Sequence, residues 1–430
     1  MFNGRDLSIF KLLSTWKTHL VFWLGAIFVG LSSVALTVGS ELVSELFRKL
    51  HQEYLAYSFF FTPLILTLLA WITFTFFPGS ERSGVPQVKA SLEPSKAGND
   101  KPLLSFRILI GKLGLSIGGI FAGASVGLGG PAIHIGAALM TYFGRFAHFG
   151  PHYLERGLIL AGSSAGFAAI FSAPLAGIVF AIEEMGRSLE QKTSGLIITA
   201  VIFAGATALI LHGQYVFLED RSTLFPWGKA WVIIPVCGII TGFMGGLFSL
   251  ILLKGGHFLN TLTFLTPLRI AFICGLLIAL LNYLSEGATA GTGYQETKNY
   301  LADTHNMSAE YPLMRMLANI ATFFIGIPAG IFVPSLSVGA GIGANLAEWI
   351  PIAPLSVVIL LGMTGYFAGM IQAPLTSFVI IMEMTNSHDL LLPMMATAFI
   401  ANGTSKLICP LSLYEGLTQR YLNTNDHEQK

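Results

Sequence analysis

Two short segments of the 430-residue chain carry a pattern from which an anion site can be built: GLGGPAIHIGA over Gly127–Ala137 and GIFVPSLSVGA over Gly330–Ala340. Each runs from glycine to proline at the same spacing and continues in good helix formers. Proline suits the first turn of a helix, where its missing N–H is no loss. The glycine ahead of it lets a ligand approach bare backbone N–H groups. A helix start adds roughly half a positive charge, so an anion is held there without a full cation to trap it. A conducted ion must also leave, which favours partial charges over a buried Lys or Arg. The competing structural reading is that Gly and Pro merely permit close packing and kinks in membrane helices.

Few titratable groups accompany these segments. Glu183 and Glu184 follow an apolar run, where ionisable residues are costly and are functional candidates by default. Arg187, three residues after Glu184, favours the simpler reading of a salt-bridged helix end. Glu383 reads as structural. His134 lies one turn after Pro131 and belongs to the residue type that titrates near neutral pH, although a hydrogen-bonded packing role is the expectation. No metal-ligand cluster, Ser/His/Asp set or phosphate loop stands among the site segments. Enzyme chemistry, metals and cofactors are therefore not expected. Cys237, Cys274 and Cys409 lie singly in or beside apolar stretches and read as packing residues.

The elements that position these residues lie in a membrane. The chain is 53% hydrophobic and only 11% charged, against roughly 25% charged in an ordinary soluble domain. Apolar runs such as Tyr54–Pro78 and Trp231–Leu253 are long enough to cross about 30 Å of hydrocarbon as helices. They are continuous and not alternating, which excludes a β-barrel. A net charge of +1 with no basic face excludes nucleic acid as a partner. A first span is expected from about Leu20 to Val38, retained and not cleaved, and Arg5, Lys11 and Lys17 before it favour a cytoplasmic start. From Leu103 onward the apolar stretches are short or broken by Gly and Pro. Irregular backbone at membrane depth is tolerated only where it is buried or lines a wet cavity, so the interruptions point to a pathway.

The chain also repeats itself. Ala161–Met185 aligns without gaps on Leu361–Thr385, sharing a Phe-Ala pair, an Ala-Pro-Leu turn and the register of Glu183 and Glu383. With the two glycine–proline segments upstream, this defines halves of about 20–215 and 228–421 within one transmembrane domain, 1–430, bounded by short cytoplasmic tails. Paired, interrupted segments in corresponding positions mark a transporter-like site at the repeat interface.

At this point the residues resemble a known family. Ser83-Gly84-Val85-Pro86, Gly127-Leu128-Gly129-Gly130-Pro131, Gly330-Ile331-Phe332-Val333-Pro334 and Pro410-Leu411-Ser412-Leu413-Tyr414 are similar, in order and spacing, to the four anion-site segments of the CLC chloride channels and transporters. The likeness runs from about Leu20 to Tyr421, and the chain ends too soon afterwards for the cytoplasmic regulatory domain of eukaryotic members. It implies an all-α polytopic fold of two inverted-topology repeats with tilted, partly penetrating helices, in a multi-pass protein of the inner or plasma membrane. It further implies a homodimer in the lipid bilayer with one pore per subunit. The hydroxyls of Ser83 and Tyr414 and the N–H groups of Ile331 and Phe332 would hold a central chloride as neutral donors. Ser83 also reads as a helix N-cap, and Tyr414 as an interfacial aromatic.

Three departures from the family pattern matter. Gly129, beside Gly130, stands where the family has the glutamate that gates the pathway and carries the proton. Leu128 replaces a cation, although Lys112 keeps a basic pathway position. Arg82 replaces a glycine before the site serine and adds charge at the inner mouth or shifts its turn. Glu184 resembles the inner proton-relay glutamate, or is structural. The expectation is chloride transport by uncoupled, channel-like conduction because Gly129 has no carboxylate. The alternatives are proton-coupled chloride antiport through another carboxylate, such as the poorly placed Glu81, and more distantly a sodium-coupled transporter or membrane enzyme.

Overall fold

The computed structural model describes residues 4–93, 103–146, 153–186, 191–213, 225, 228–261, 266–302 and 308–428. Its regular elements among these are all helical. The first half holds α1 (Gly4–Glu53), α2 (Leu55–Phe76), α3 (Val85–Ser91), α4 (Phe106–Phe121), α5 (Gly129–Gly144), α6 (Tyr153–Phe171), α7 (Pro174–Phe180) with a π-helical turn at Ala181–Met185, and α8 (Gln191–His212). The second holds α9 (Ile233–Thr261), α10 (Pro267–Leu284), α11 (Tyr294–Leu301), α12 (Tyr311–Ile325), α13 (Phe332–Trp349), α14 (Leu355–Ile371), α15 (Pro374–Thr385), α16 (Leu391–Ile408) and α17 (Leu413–Glu428).

Among the described residues, five stretches are long and apolar enough to cross a membrane: His19–Glu53, Phe59–Phe76, Gly195–His212, Lys229–Gly256 and Pro267–Leu284. Large apolar side chains stand exposed along them, including Ile202, Ile210 and Phe243, as lipid-facing surfaces require. The chain is a polytopic, all-α membrane protein. The first span does not stop at Val38: the helix continues unbroken to Glu53. The hydroxyls of Ser33, Thr37 and Ser40 bond back to carbonyls within their own helix. That internal pairing lets polar residues continue an apolar helix without unsatisfied groups.

Shorter helices fill the interior, and glycine sets how closely they approach. A Cβ on Gly136 of α5 would collide with the carbonyl of Gly162 of α6, and one on Gly162 with that of Gly136. In α13 and α14, Gly339 and Gly362 stand in the same reciprocal relation. Small residues that bring two backbones together are the usual cement of membrane helices, where burial from lipid adds little.

Candidate functional site

Three loops meet behind the helix starts. Gly127 N–H donates to the Gly330 carbonyl at 2.7 Å, and Gly330 N–H returns a bond to Gly127 at 2.8 Å. A Cβ on Gly127 would stand 2.8 Å from Pro334, and one on Gly330 would stand 2.9 Å from Pro131. Only glycine permits this bridge. The third loop joins through Arg82, whose N–H donates to Ile327 at 3.0 Å and whose carbonyl accepts from Ala329 at 3.1 Å.

Two further contacts brace the assembly. The fully buried guanidinium of Arg315 donates to the carbonyls of Thr289 (2.6 Å), Ala290 (3.0 Å) and Gly291 (2.8 Å). Gly291 in turn accepts from Val126 and donates to Ala124. The Ser125 N–H donates to Thr322 Oγ1 at 3.1 Å, and the Ser125 hydroxyl donates to Asn319. The chain entering α5 is thus fixed on both sides.

From this frame α5 and α13 begin in matching register. Leu128 and Ile331 are the N-caps, and Pro131 and Pro334 each occupy the third helical position. The first N–H groups of a helix have no acceptor within it, so the amides of Gly129 and Gly130 and those of Ile331 and Phe332 form two bare donor sets. Gly130 lies against Ser83, where a Cβ would collide with the hydroxyl. A Cβ on Gly129 would stand 3.0 Å from the Phe332 ring, and Phe332 packs on Tyr414 with centroids 5.8 Å apart. Ser83, Gly129, Gly130, Phe332 and Tyr414 therefore converge.

Two hydroxyls stand at this convergence. Ser83 and Tyr414 are buried, and among the described residues their hydroxyls face only each other, with no other hydrogen-bond partner. A buried unpaired donor costs on the order of 1–3 kcal/mol, so two beside bare helix starts suit an anion. Neither of the simpler readings fits them. The N-cap of α3 is Gly84, with no side-chain capping bond, and Tyr414 is 0% exposed instead of lying at an interface.

The departures are equally definite. The space that a side chain at position 129 would enter is filled by Phe171, 2.7 Å from the Cβ position, and by Phe332. Phe167, Phe180 and Phe367 complete an aromatic cluster around that point. Arg82 keeps the left-handed backbone (φ 56°) that glycine adopts easily. Its guanidinium lies over the Phe323 ring at 4.8 Å, a cation–π contact. Lys112 is buried and contacts Nδ1 of His134 at 3.1 Å, while His134 Nε2 contacts the Leu103 carbonyl at 2.7 Å.

The acidic residues divide into two kinds. Glu183 accepts from the N–H groups of Leu375 (3.0 Å) and Thr376 (2.6 Å) and from the Thr376 hydroxyl (2.8 Å). Glu383 accepts from the N–H groups of Leu175 (3.1 Å) and Ala176 (2.9 Å). Each half therefore caps the short helix of the other, which accounts for Glu383 as a structural residue. Glu184 is buried and pairs with Lys89 Nζ at 2.6 Å. The expected partner, Arg187, lies outside the described residues. Glu81 accepts from the Gly79 N–H at 3.0 Å, within its own turn.

Sequence reasoning missed Lys89, Phe171 and Arg315. Lys89 had a faint signal, lying six residues after Ser83 on the short helix α3. The other two had none, because their contacts join segments far apart in the chain.

Known proteins carry the same architecture. The family model described as voltage gated chloride channel matches residues 65–406. The H(+)/Cl(-) exchange transporter ClcA of Cronobacter sakazakii is 28% identical over 99% of this chain and 95% of its own length. The protein of that name from Klebsiella pneumoniae is 27% identical over 86% of this chain and 80% of its own. Among solved structures, a slow cyanobacterial Cl-/H+ antiporter superposes with a TM-score of 0.82 at 21% identity, covering 95% of this chain and 99% of that one. A CLC-type fluoride/proton antiporter does so at 0.75 and 19% identity, covering 97% and 99%. The family model spans most of the chain, and the chain belongs to the voltage-gated chloride channel family.

Proposed function

We propose that this chain moves chloride across the membrane through the cage formed by Ser83, Tyr414 and the starts of α5 and α13, in proton-coupled exchange. The observation that carries the chloride reading is the pair of buried hydroxyls of Ser83 and Tyr414, which face each other and find no other partner among the described residues. They lie at the starts of α5 and α13, where Gly130 abuts Ser83 and Phe332 packs on Tyr414. All these donors are neutral, so they hold an anion and still release it. The relatives named as H(+)/Cl(-) exchangers support coupling.

Coupling here takes its proton on a group other than a carboxylate at position 129. Glu184 enters the cycle as one half of an ion pair with Lys89, and a free relay carboxylate would first have to break that pair. A second reading, passive conduction, is favoured by Gly129 itself, since no tethered carboxylate competes with chloride there. In either case the functional unit is a homodimer in the cell's inner or plasma membrane, with one pathway per subunit and repeat halves at about 20–215 and 228–421. Chloride is the cargo, and no cofactor takes part.

Liposomes loaded with purified protein and given a chloride gradient, with external pH recorded with and without a potassium ionophore, separate the two. Exchange drives protons against their own gradient. Chloride flux with an unchanged proton trace establishes passive conduction instead, and absence of chloride flux removes both readings.

A further inference from the structure

Behind the cage lies a pair of titratable side chains to which the transport reading gives no task. Lys112 of α4 and His134 of α5 are both buried, with Nζ 3.1 Å from Nδ1. The other ring nitrogen, Nε2, stands 2.7 Å from the Leu103 carbonyl oxygen. A carbonyl only accepts, so Nε2 carries the proton and Nδ1 is left to accept from the ammonium. The pair thus holds one positive charge and one accepting nitrogen out of contact with solvent.

Its position is adjacent to the site. A Cβ on Gly84 would stand 2.7 Å from Lys112 Nζ and 2.8 Å from His134 Nδ1. The pair therefore presses on the backbone of the residue that follows Ser83, and the missing side chain of Gly84 makes the room. Lys112 forms no ion pair with any described residue. The carboxylate whose field reaches it is Glu81, on the loop entering α3. The charge acting on His134 is Lys112 itself. No titratable group of α1, α2, α6 or α13 among the described residues acts on either, and Lys89 of α3 is held by Glu184.

A buried ammonium without a carboxylate in contact is held at a cost, which an anion close by offsets. Chloride in the cage and a proton on the pair therefore stabilise one another, and by linkage each raises the affinity for the other. We propose that the Lys112–His134 pair is the proton-binding group of this transporter, keeping its proton while chloride occupies the cage and releasing it when chloride leaves. The proposal rests on the chloride reading of the cage and concerns the linkage of proton binding to chloride occupancy, not the direction in which protons cross the membrane. Only an N–H bond forms or breaks, and the proton comes from and returns to water. Chloride affinity accordingly falls as pH rises and the pair loses its proton.

The test is calorimetric titration of the purified full-length protein with sodium chloride at several values between about pH 5 and 8, in buffers of different ionisation heat. Proton uptake accompanying chloride binding is expected, with affinity falling about tenfold across that range. Lys112→Met should abolish both the uptake and the pH dependence, while His134→Gln should reduce the uptake. If Lys112→Met does not yield folded protein, His134→Gln decides. Chloride binding without proton exchange in the unaltered protein, or wild-type uptake in His134→Gln, would overturn the assignment. Absence of chloride binding at every pH would instead overturn the cage itself.

Discussion

The starts of α5 and α13 are built to one plan and finished differently. Both follow a glycine in the reciprocal Gly127–Gly330 bridge, both place proline at the third helical position, and both offer bare amides. At the first helical position, however, α5 has Gly129 and α13 has Phe332. The ring of Phe332 reaches across to the point where a side chain on Gly129 would begin, and Phe171 closes on the same point. The backbone frame is thus symmetric, while the side chains at the first helical position are not. A carboxylate at position 129 would sit as a tethered anion among these donors, and in this chain aromatic rings occupy its room.

Breaking the frame that the two starts share should have the largest effect. Gly127→Val drives a side chain into Pro334 and the Gly330 carbonyl, 2.8 and 2.9 Å from the Cβ position. A loss of about 3–5 kcal/mol, the range of severe backbone and packing lesions, is expected. Thermal unfolding in detergent would read it, and a wild-type midpoint would mean that the bridge is not a structural keystone.

The second symmetric device is smaller. Glu183→Gln and Glu383→Gln each weaken a charge-assisted cap on the opposite half. Each should lower stability by about 1–2 kcal/mol. Because the pairs are separate, the double variant should lose close to the sum, and marked non-additivity in the unfolding midpoints would show that the caps form a single unit.

The asymmetric position comes next. Gly129→Glu displaces Phe171 and puts a competing carboxylate among the amides, which should slow chloride efflux from liposomes by about tenfold, or about 1.4 kcal/mol. The slowing should ease as pH falls and the carboxylate protonates. Unchanged flux at all pH values would place position 129 off the pathway. Least disruptive are Ser83→Ala and Tyr414→Phe. Each removes one neutral donor, worth about 1 kcal/mol, so chloride affinity should drop several-fold in calorimetric titration while the fold is retained.

Much of this comparison is legible in the sequence. The equal Gly-to-Pro spacing at Gly127 and Gly330 announces the matched helix starts, and the aligned Ala-Pro-Leu turns announce α7 and α15. Serine and tyrosine near helix starts give the donors' chemistry. What local pattern cannot carry is pairing across the chain. The Lys89–Glu184 contact joins residues 95 positions apart, and the Glu183 and Glu383 caps span still more. Phe171 left no mark in the sequence: its repeat counterpart is Ile371, and only the fold shows that its ring lies over Gly129. The first helix runs past the expected end at Val38, and the bonds of Ser33, Thr37 and Ser40 to the preceding turn allow it to continue.

In the proposed cage an anion rests where the α5 and α13 starts face Ser83 and Tyr414. Anomalous diffraction from crystals in which bromide replaces chloride tests it directly. A bromide peak within hydrogen-bonding reach of the Ser83 and Tyr414 hydroxyls and the amides of Ile331 and Phe332 is predicted, weakened in Tyr414→Phe. Well-ordered bromide elsewhere in the protein with none in this cage would contradict the account.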